Sequence, residues 1–287
     1  MSRPRVVALG GGHGLATTLR AARRYAGEVA AVVSVADDGG SSGRLRQICD
    51  IPAPGDARRC LVALGDPESL WARLFEHRFE AGDLHGHALG NLVIAGLTAV
   101  TGDLTAALAE SGRLVGCVGR VLPATEVAVT LEADAAGGPV EGQVRVAGTG
   151  HIRSVWLVPP DAPATPEAVA AIEGADQVVL GPGSLFTSVL AAALVGGIRA
   201  ALAATAARVV YVANLAPQRH ETAGFDLGDH VAALRRHGVR ADVVLRHAGS
   251  LPLGEVDLPV VERSVADDDG VAHDPARLAD ALVDLVG

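Results

Sequence analysis

Short apolar runs, each followed by a glycine-rich loop and a helical segment, recur along the chain. Residues 5–9 and 29–36 are runs of strand length, and residues 15–25 between them have the length of a helix. Strands that are apolar at consecutive positions are typical of a parallel sheet covered on both faces. The pattern therefore predicts parallel strands joined by helices.

The middle of the chain follows a different pattern. Apolar residues alternate with polar ones around residues 127–131, and again at residues 144–146. Such alternation, with glycine turns between the runs, is typical of antiparallel strands with one exposed face. We therefore predict a small antiparallel β-rich insert over about residues 112–158.

The α/β pattern resumes after the insert. We therefore predict a single α/β domain over residues 1–287, with a mainly parallel sheet and helices on both faces. The remaining predicted strands span 177–180, 208–213 and 242–245. The remaining predicted helices span 66–80, 91–99, 104–110, 185–195, 226–237 and 274–286, and one more begins near 166.

Composition and charge argue against several classes of function. The 24 basic residues, all arginines, stand against 33 acidic ones, and the resulting net charge of −9 argues against a nucleic-acid partner. Aromatic residues make up only 3% of the chain, too few to stack on single-stranded bases. The 3 cysteines have no CxxC spacing, which argues against a disulfide framework and a cysteine zinc site.

Nothing in the sequence indicates export or membrane insertion. No signal peptide is visible at the amino end, and the apolar stretch 185–198 is too short to cross a bilayer. Unpaired cysteines fit a reducing compartment. We therefore expect a cytoplasmic protein with no membrane insertion.

Four unusual loops follow predicted strands, and ligands of open α/β sheets bind beyond the carboxyl ends of the strands. The first loop holds Gly10, Gly11, Gly12, His13 and Gly14. Glycine amides at a helix start can approach a phosphate, although neither the dinucleotide fingerprint nor the Walker pattern is complete. A tight turn is the alternative interpretation.

The second loop combines acids, hydroxyls and a base. Asp37 and Asp38 can bind a ribose hydroxyl or a metal. Ser41 and Ser42 can donate to a phosphate, which Arg44 or Arg46 can neutralise. The alternative is a solvated turn, because Asp, Gly and Ser are common turn residues.

The third and fourth loops each place polar groups at a helix start. Asn91 follows a glycine and opens an apolar helix, where it is either a ligand residue or a plain N-cap. Gly183, Ser184 and Thr187 can bind phosphate or sugar hydroxyls, or form a proline–glycine turn capped by the serine. Asn214 ends a later strand and opens a polar segment that is either a lid or an ordinary loop.

Catalytic residues are not predicted. The chain has no Ser-His-Asp order and no G-x-S-x-G elbow. His85 and His87 do not share a helix face, so we expect no metal site there.

Six segments carry a family pattern. They are residues 10–15 (GGGHGL), 33–46 (VSVADDGGSSGRLR), 54–56 (PGD), 86–91 (GHALGN), 121–125 (VLPAT) and 180–188 (LGPGSLFTS). Together they resemble the YvcK-type proteins, in the superfamily that also holds CofD, the 2-phospho-L-lactate transferase.

The resemblance implies a Rossmann-like fold that binds a UDP-sugar, typically UDP-N-acetylglucosamine. It also implies a cytoplasmic factor for cell shape, cell-wall synthesis and gluconeogenic growth, with no established catalysis and no required cofactor. We expect a homo-oligomer, most simply a dimer. The alternative is a CofD-like phospholactyl transferase with a guanylyl donor, in which Asp37 and Asp38 hold Mg²⁺. A further alternative is an interaction protein whose glycine loops are purely structural.

The chain departs from the family pattern at three places. His13 stands where the family commonly has threonine, and His220 replaces a glycine. The tail after His247 is shorter than in the family and contains no tyrosine.

Overall fold

The computed structural model describes residues 3–287, so the first two residues of the predicted domain lie outside the described part. The strands are β1 (Arg5–Gly10), β2 (Glu28–Val33), β3 (Arg120–Pro123), β4 (Thr130–Ala135), β5 (Gly138–Glu141), β6 (Ile152–Val158), β7 (Gln177–Leu180), β8 (Arg208–Val212), β9 (Val243–His247) and β10 (Val260–Arg263).

The helices lie mostly between these strands. They are α1 (Gly12–Tyr25), α2 (Gly40–Cys49), α3 (Gly55–Leu64), α4 (Leu70–Glu76), α5 (Leu89–Thr101), α6 (Leu104–Val115), α7 (Gln143–Ala147), α8 (Pro166–Glu173), α9 (Ala191–Ala193), α10 (Gly196–Ala204), α11 (Leu227–Arg236) and α12 (Pro275–Val283). A π-helical turn, Leu185–Leu190, precedes α9.

Seven strands form one parallel sheet in the order β3-β2-β1-β7-β8-β9-β10. The chain fills one side of β1 first and then crosses to β7 on its other side. This is the strand order of a doubly wound fold, and β1 and β7 flank the point where the order reverses. Five consecutive residues are buried in both β1 and β2, so both faces of the sheet are covered. The predicted α/β, Rossmann-like fold is confirmed.

The antiparallel insert is a three-stranded sheet of order β5-β4-β6. It is smaller than predicted, because residues 112–115 end α6 and β3 joins the parallel sheet. The prediction of a strand at residues 144–146 is wrong. These residues form α7, in which Val146 is buried, while the backbone amide of Val144 donates to the carboxylate of Asp38 at 2.9 Å.

Several elements escape sequence-based prediction. Helices α2 and α3 start with glycine, serine and proline-rich segments that are typical of loops, and tertiary packing stabilises them. The predicted helix 66–80 is shorter, because Ser69 caps α4 and the helix ends at Glu76. The π-helical turn and α9 replace the single predicted helix 185–195.

Small aliphatic side chains make up most of the core, with Tyr211, Phe75 and Phe186 as its largest fully buried members. Within residues 3–287 no single helix has the length and hydropathy to cross a membrane. The segments Leu185–Ala193 and Gly196–Ala204 reach that length and hydropathy together, and they are bent by 80°.

Candidate functional site

The loops after β1, β2 and β7 meet at one edge of the sheet. A Cβ atom on Gly14 would overlap the carbonyl oxygen of Pro182, so the first and fourth loops touch backbone to backbone. A Cβ on Gly55 would overlap the Ser42 hydroxyl and lie 3.1 Å from Oδ2 of Asp37. The three loops that follow strands therefore converge as predicted, beside the point where the strand order reverses. The prediction that the third loop, residues 86–91, also follows a strand is wrong, because this segment follows α4 and leads into α5.

Helix α1 begins inside the first glycine loop. Gly10 and Gly12 have φ angles of +150° and +65°, which favour glycine. The amide of Gly12 donates to the carboxylate of Asp56, a side chain that is only 4% exposed and also pairs with Arg59 at 2.6 Å. Burial raises the pKa of Asp56, and the neighbouring Arg59 opposes that shift.

The next two amides of α1, unlike that of Gly12, have no acceptor within the described part of the chain. Among residues 3–287, the N–H groups of His13 and Gly14 donate to no protein acceptor, and the His13 ring is exposed. Ser188 lies nearby, since its hydroxyl would be 3.5 Å from a Cβ on Gly11. Free amides at the start of a 14-residue helix are suited to an anion.

The two aspartates after β2 point to different partners. Oδ1 of Asp37 accepts from the amide of Gly39 at 2.9 Å, which closes a local turn. Oδ1 of Asp38 accepts from Val144, and a Cβ on Gly142 would overlap its Oδ2. Asp38 therefore fastens the insert to the edge of the site.

Ser41 connects α2 to α5. Its hydroxyl lies 3.0 Å from Nδ1 of His87 and accepts from Nδ2 of Asn91 at 3.0 Å. Asn91 is not a plain N-cap, because α5 begins at Leu89 with Ala88 as its cap. Burial lowers the pKa of His87, and the charges of nearby arginines add to the effect.

The loop after β7 is held by side chains of the segment that follows β8. Asn214 accepts from the amide of Gly183 at 3.0 Å and donates to its carbonyl at 2.9 Å. Gln218 donates to the hydroxyl of Ser184 at 2.6 Å. Asn214 and Ser184 therefore already have partners within the protein.

A buried carboxylate occupies the start of the π-helical turn. Glu221 is 2% exposed and accepts from the amides of Phe186 at 2.5 Å and Thr187 at 3.1 Å, and from the Thr187 hydroxyl at 2.9 Å. Burial raises the pKa of Glu221, and these hydrogen bonds oppose that shift. The Thr187 hydroxyl, which the fourth loop was expected to offer a ligand, is thus bonded to an internal carboxylate.

Three side chains at this edge have contacts that the sequence patterns do not indicate. The patterns predict a turn and cap around Asp56 and a lid or polar loop around Gln218 and Glu221, whereas Ser188 belongs to the hydroxyls expected of the fourth loop. No local signal identifies these acids, because Asp56 and Glu221 come from segments far along the chain from the loops that they contact. Within residues 3–287, no three His, Cys, Asp or Glu side chains are grouped so that they could hold a metal.

Known proteins resemble almost the whole chain. The profile of the family described as 2-phospho-L-lactate transferase CofD matches residues 6–285. The gluconeogenesis factor of Bacillus subtilis (strain 168) is 36% identical, over 99% of this chain and 98% of that protein. That of Halalkalibacterium halodurans is 43% identical, over 85% of this chain and 78% of that protein. The crystal structure of a UPF0052 family member from Bacillus halodurans gives a TM-score of 0.92 at 35% identity, over 99% of both chains.

Proposed function

The chain belongs to the CofD family, and on that premise we propose that it is a regulatory protein that binds a nucleotide sugar of the UDP-N-acetylglucosamine type. The relatives named gluconeogenesis factor support a role in gluconeogenic growth. We extend the proposal to cell shape and cell-wall synthesis. The protein would act in the cytoplasm, as a homodimer.

One observation carries the proposal: the contact between Gly14 and Pro182, which brings two glycine loops together where the strand order reverses. Ligands of doubly wound folds bind in that crevice. The free amides of His13 and Gly14 would receive a phosphate, and the hydroxyl of Ser188 would add a donor. Asp37 would accept a ribose hydroxyl.

The internal carboxylates define which amides remain for the ligand. Asp56 takes the Gly12 amide and Glu221 takes those of Phe186 and Thr187. A diphosphate would therefore sit over the second and third residues of α1. Buried carboxylates beside a bound phosphate repel it, so the ligand would lie where the remaining donors and arginines compensate.

The second candidate is the phospholactyl transferase, which the name of the matched family favours. It requires a divalent cation between the two aspartates after β2. Both aspartates already accept a backbone amide through Oδ1, and within residues 3–287 no third His, Cys, Asp or Glu side chain is grouped with them to hold a metal. We therefore place binding and regulation ahead of transfer.

Titration calorimetry with UDP-N-acetylglucosamine, UDP and GDP tests the proposal. We expect heat with the two uridine compounds and weaker binding of GDP. Heat with GDP alone, or with none of the three, would refute the nucleotide-sugar proposal. Incubation with a deazaflavin acceptor and a guanylyl donor, followed by mass spectrometry, tests transfer separately, and an unchanged acceptor rejects it.

The regulatory part is tested in cells. A Bacillus subtilis strain that lacks its gluconeogenesis factor would receive this chain, and growth on a gluconeogenic carbon source and cell shape would be scored. We expect the natural sequence to restore growth and cell shape, and the Gly14→Ala variant to restore neither. Equal rescue by both would show that the glycine crevice is not needed for the role.

A further inference from the structure

Two arginines form a positively charged rim beside Ser41, in a chain of net charge −9. Nη2 of Arg44 donates to the carbonyl of His85 at 2.7 Å, and Nη1 of Arg78 donates to the next carbonyl, that of Gly86, at 2.6 Å. Two consecutive carbonyls thus hold one guanidinium group each. We call Arg44 and Arg78 the basic rim.

Both arginines of the basic rim are exposed, and within the described part of the chain they form no ion pair. Among residues 3–287, neither rim arginine lies within 4.0 Å of a carboxylate, and the same holds for Arg58. Arg58 is 6% exposed, its Nε has no partner, and its Nη1 reaches only the carbonyl of Phe75 at 3.3 Å. Buried charges in proteins are normally paired, because an unpaired one is costly.

An unpartnered acceptor lies beside this positive charge. Asn91 is 3% exposed, and its Oδ1 has no hydrogen-bond partner, although its Nδ2 donates to Ser41. Helices α2 and α5, of 10 and 13 residues, both begin here without a side-chain cap. Each helix start adds partial positive charge. The region therefore lacks both an anion and a hydrogen-bond donor.

We propose that this region recognises the sugar end of the ligand, and that a carboxylate on the sugar strengthens binding beyond what the hydroxyls of an uncharged sugar provide. The carboxylate pairs with the basic rim, whose planar guanidinium forks match its two oxygens. A sugar hydroxyl donates to the free oxygen of Asn91. The inference rests on the proposed nucleotide-sugar function and adds the chemical class of the sugar.

The test compares two ligands that differ only at the sixth carbon of the sugar. UDP-glucuronic acid has a carboxylate there, and UDP-glucose has a hydroxymethyl group. Titration calorimetry on the natural protein is expected to give at least about tenfold tighter binding of the acid, the effect of one charge-assisted contact. Equal affinities overturn the inference, while binding of either compound leaves the nucleotide-sugar function standing.

Variants of Arg78 separate charge from folding. Arg78→Met is expected to reduce the preference for the acid below about threefold, whereas Arg78→Lys keeps most of it because it keeps the charge. Arg73→Met, an exposed arginine of α4, should leave the preference unchanged. An unchanged preference in Arg78→Met, or equal losses in the Met and Lys variants, overturns the inference. Absence of heat with both compounds overturns this inference, whereas the proposed function is refuted only if UDP-N-acetylglucosamine also gives no heat.

Discussion

The carboxylate of Glu221 accepts hydrogen bonds from both the amide and the hydroxyl of Thr187, at 3.1 and 2.9 Å. With the amide of Phe186 this makes three donors for one buried side chain, the pattern that suits an acceptor-only, ionised carboxylate. The segment after β8 is thereby fastened to the π-helical turn after β7. An internal anion thus does at this helix start what a bound phosphate does elsewhere.

Replacing Glu221 tests that role. Glu221→Ala leaves three buried donors without an acceptor, and we expect a loss of about 2–4 kcal/mol in the free energy of unfolding, measured in urea. Glu221→Gln keeps one acceptor oxygen and should lose less. Formate added to the alanine variant should restore part of the stability, because a small carboxylate fits the vacated place. Glu173→Ala, at an exposed position, is the control. Equal losses in the alanine and glutamine variants would contradict the assignment.

His230 makes stability depend on pH. The ring is fully buried, its Nδ1 lies 2.8 Å from the Tyr211 hydroxyl, and its Nε2 has no partner. Burial lowers the pKa of His230 to about 4. Below the unfolded-state value of about 6.5, the unfolded chain binds a proton that the folded chain does not. Stability is therefore lost as pH falls from 6.5 to 4, by up to about 3 kcal/mol from this residue.

The His230→Phe variant isolates this contribution. Asp56 and Glu221 have raised pKa values and act in the opposite direction, so the comparison of variant and natural protein is the useful one. We expect the variant to be less stable at pH 7, because the Tyr211 hydroxyl loses its partner. Its unfolding free energy should fall less between pH 7 and 5 than that of the natural protein. If the unfolding free energies of the variant and the natural protein changed equally with pH, His230 would not be the source of the pH dependence.

The sequence predicts the fold well because runs of consecutive apolar residues mark the buried strands directly. Residues 177–180 are apolar except for Gln177, and they form β7 as predicted. The sequences at the start of α2 and α3 do not predict helices, because these helices are stabilised by contacts with residues far along the chain. Ser41, for example, is bonded to side chains about fifty residues away. No local pattern encodes such a contact.

The candidate site was only partly predictable for a similar reason. The four glycines among positions 10–14 indicate a close backbone approach, and the contact with Pro182 supplies it. The partners of those amides could not be read from the loops themselves. Asp56 and Glu221 come from other segments, and only the folded chain brings them to the helix starts.

Gly14 tests the backbone contact between the first and fourth loops. A methyl group at Gly14 would overlap the carbonyl oxygen of Pro182, and a backbone atom cannot rotate away. We expect Gly14→Ala to lose about 1–3 kcal/mol or more of stability in thermal unfolding, and to lose ligand binding. Gly96→Ala is the matched control, because open space surrounds that position of α5. It should gain up to about 1 kcal/mol from helix propensity. A neutral Gly14→Ala variant would contradict the described contact.

Asp38 tests how the insert is attached to the site. Its carboxylate accepts from Val144 at 2.9 Å, and Gln143 donates to the carbonyl of Thr187 at 2.9 Å, so α7 is held from two sides. Asp38→Ala removes one of these bonds. We expect amide hydrogen exchange in α7 to accelerate by about tenfold, the effect of one lost hydrogen bond, with β1 unchanged.

Asp38→Asn retains an acceptor oxygen, so α7 in this variant should exchange at nearly the natural rate. Asp134→Ala, which breaks an exposed ion pair elsewhere in the insert, should leave α7 protected. If Asp134→Ala accelerated exchange as much as Asp38→Ala, general loosening of the insert would explain both, and Asp38 would have no special part in its attachment.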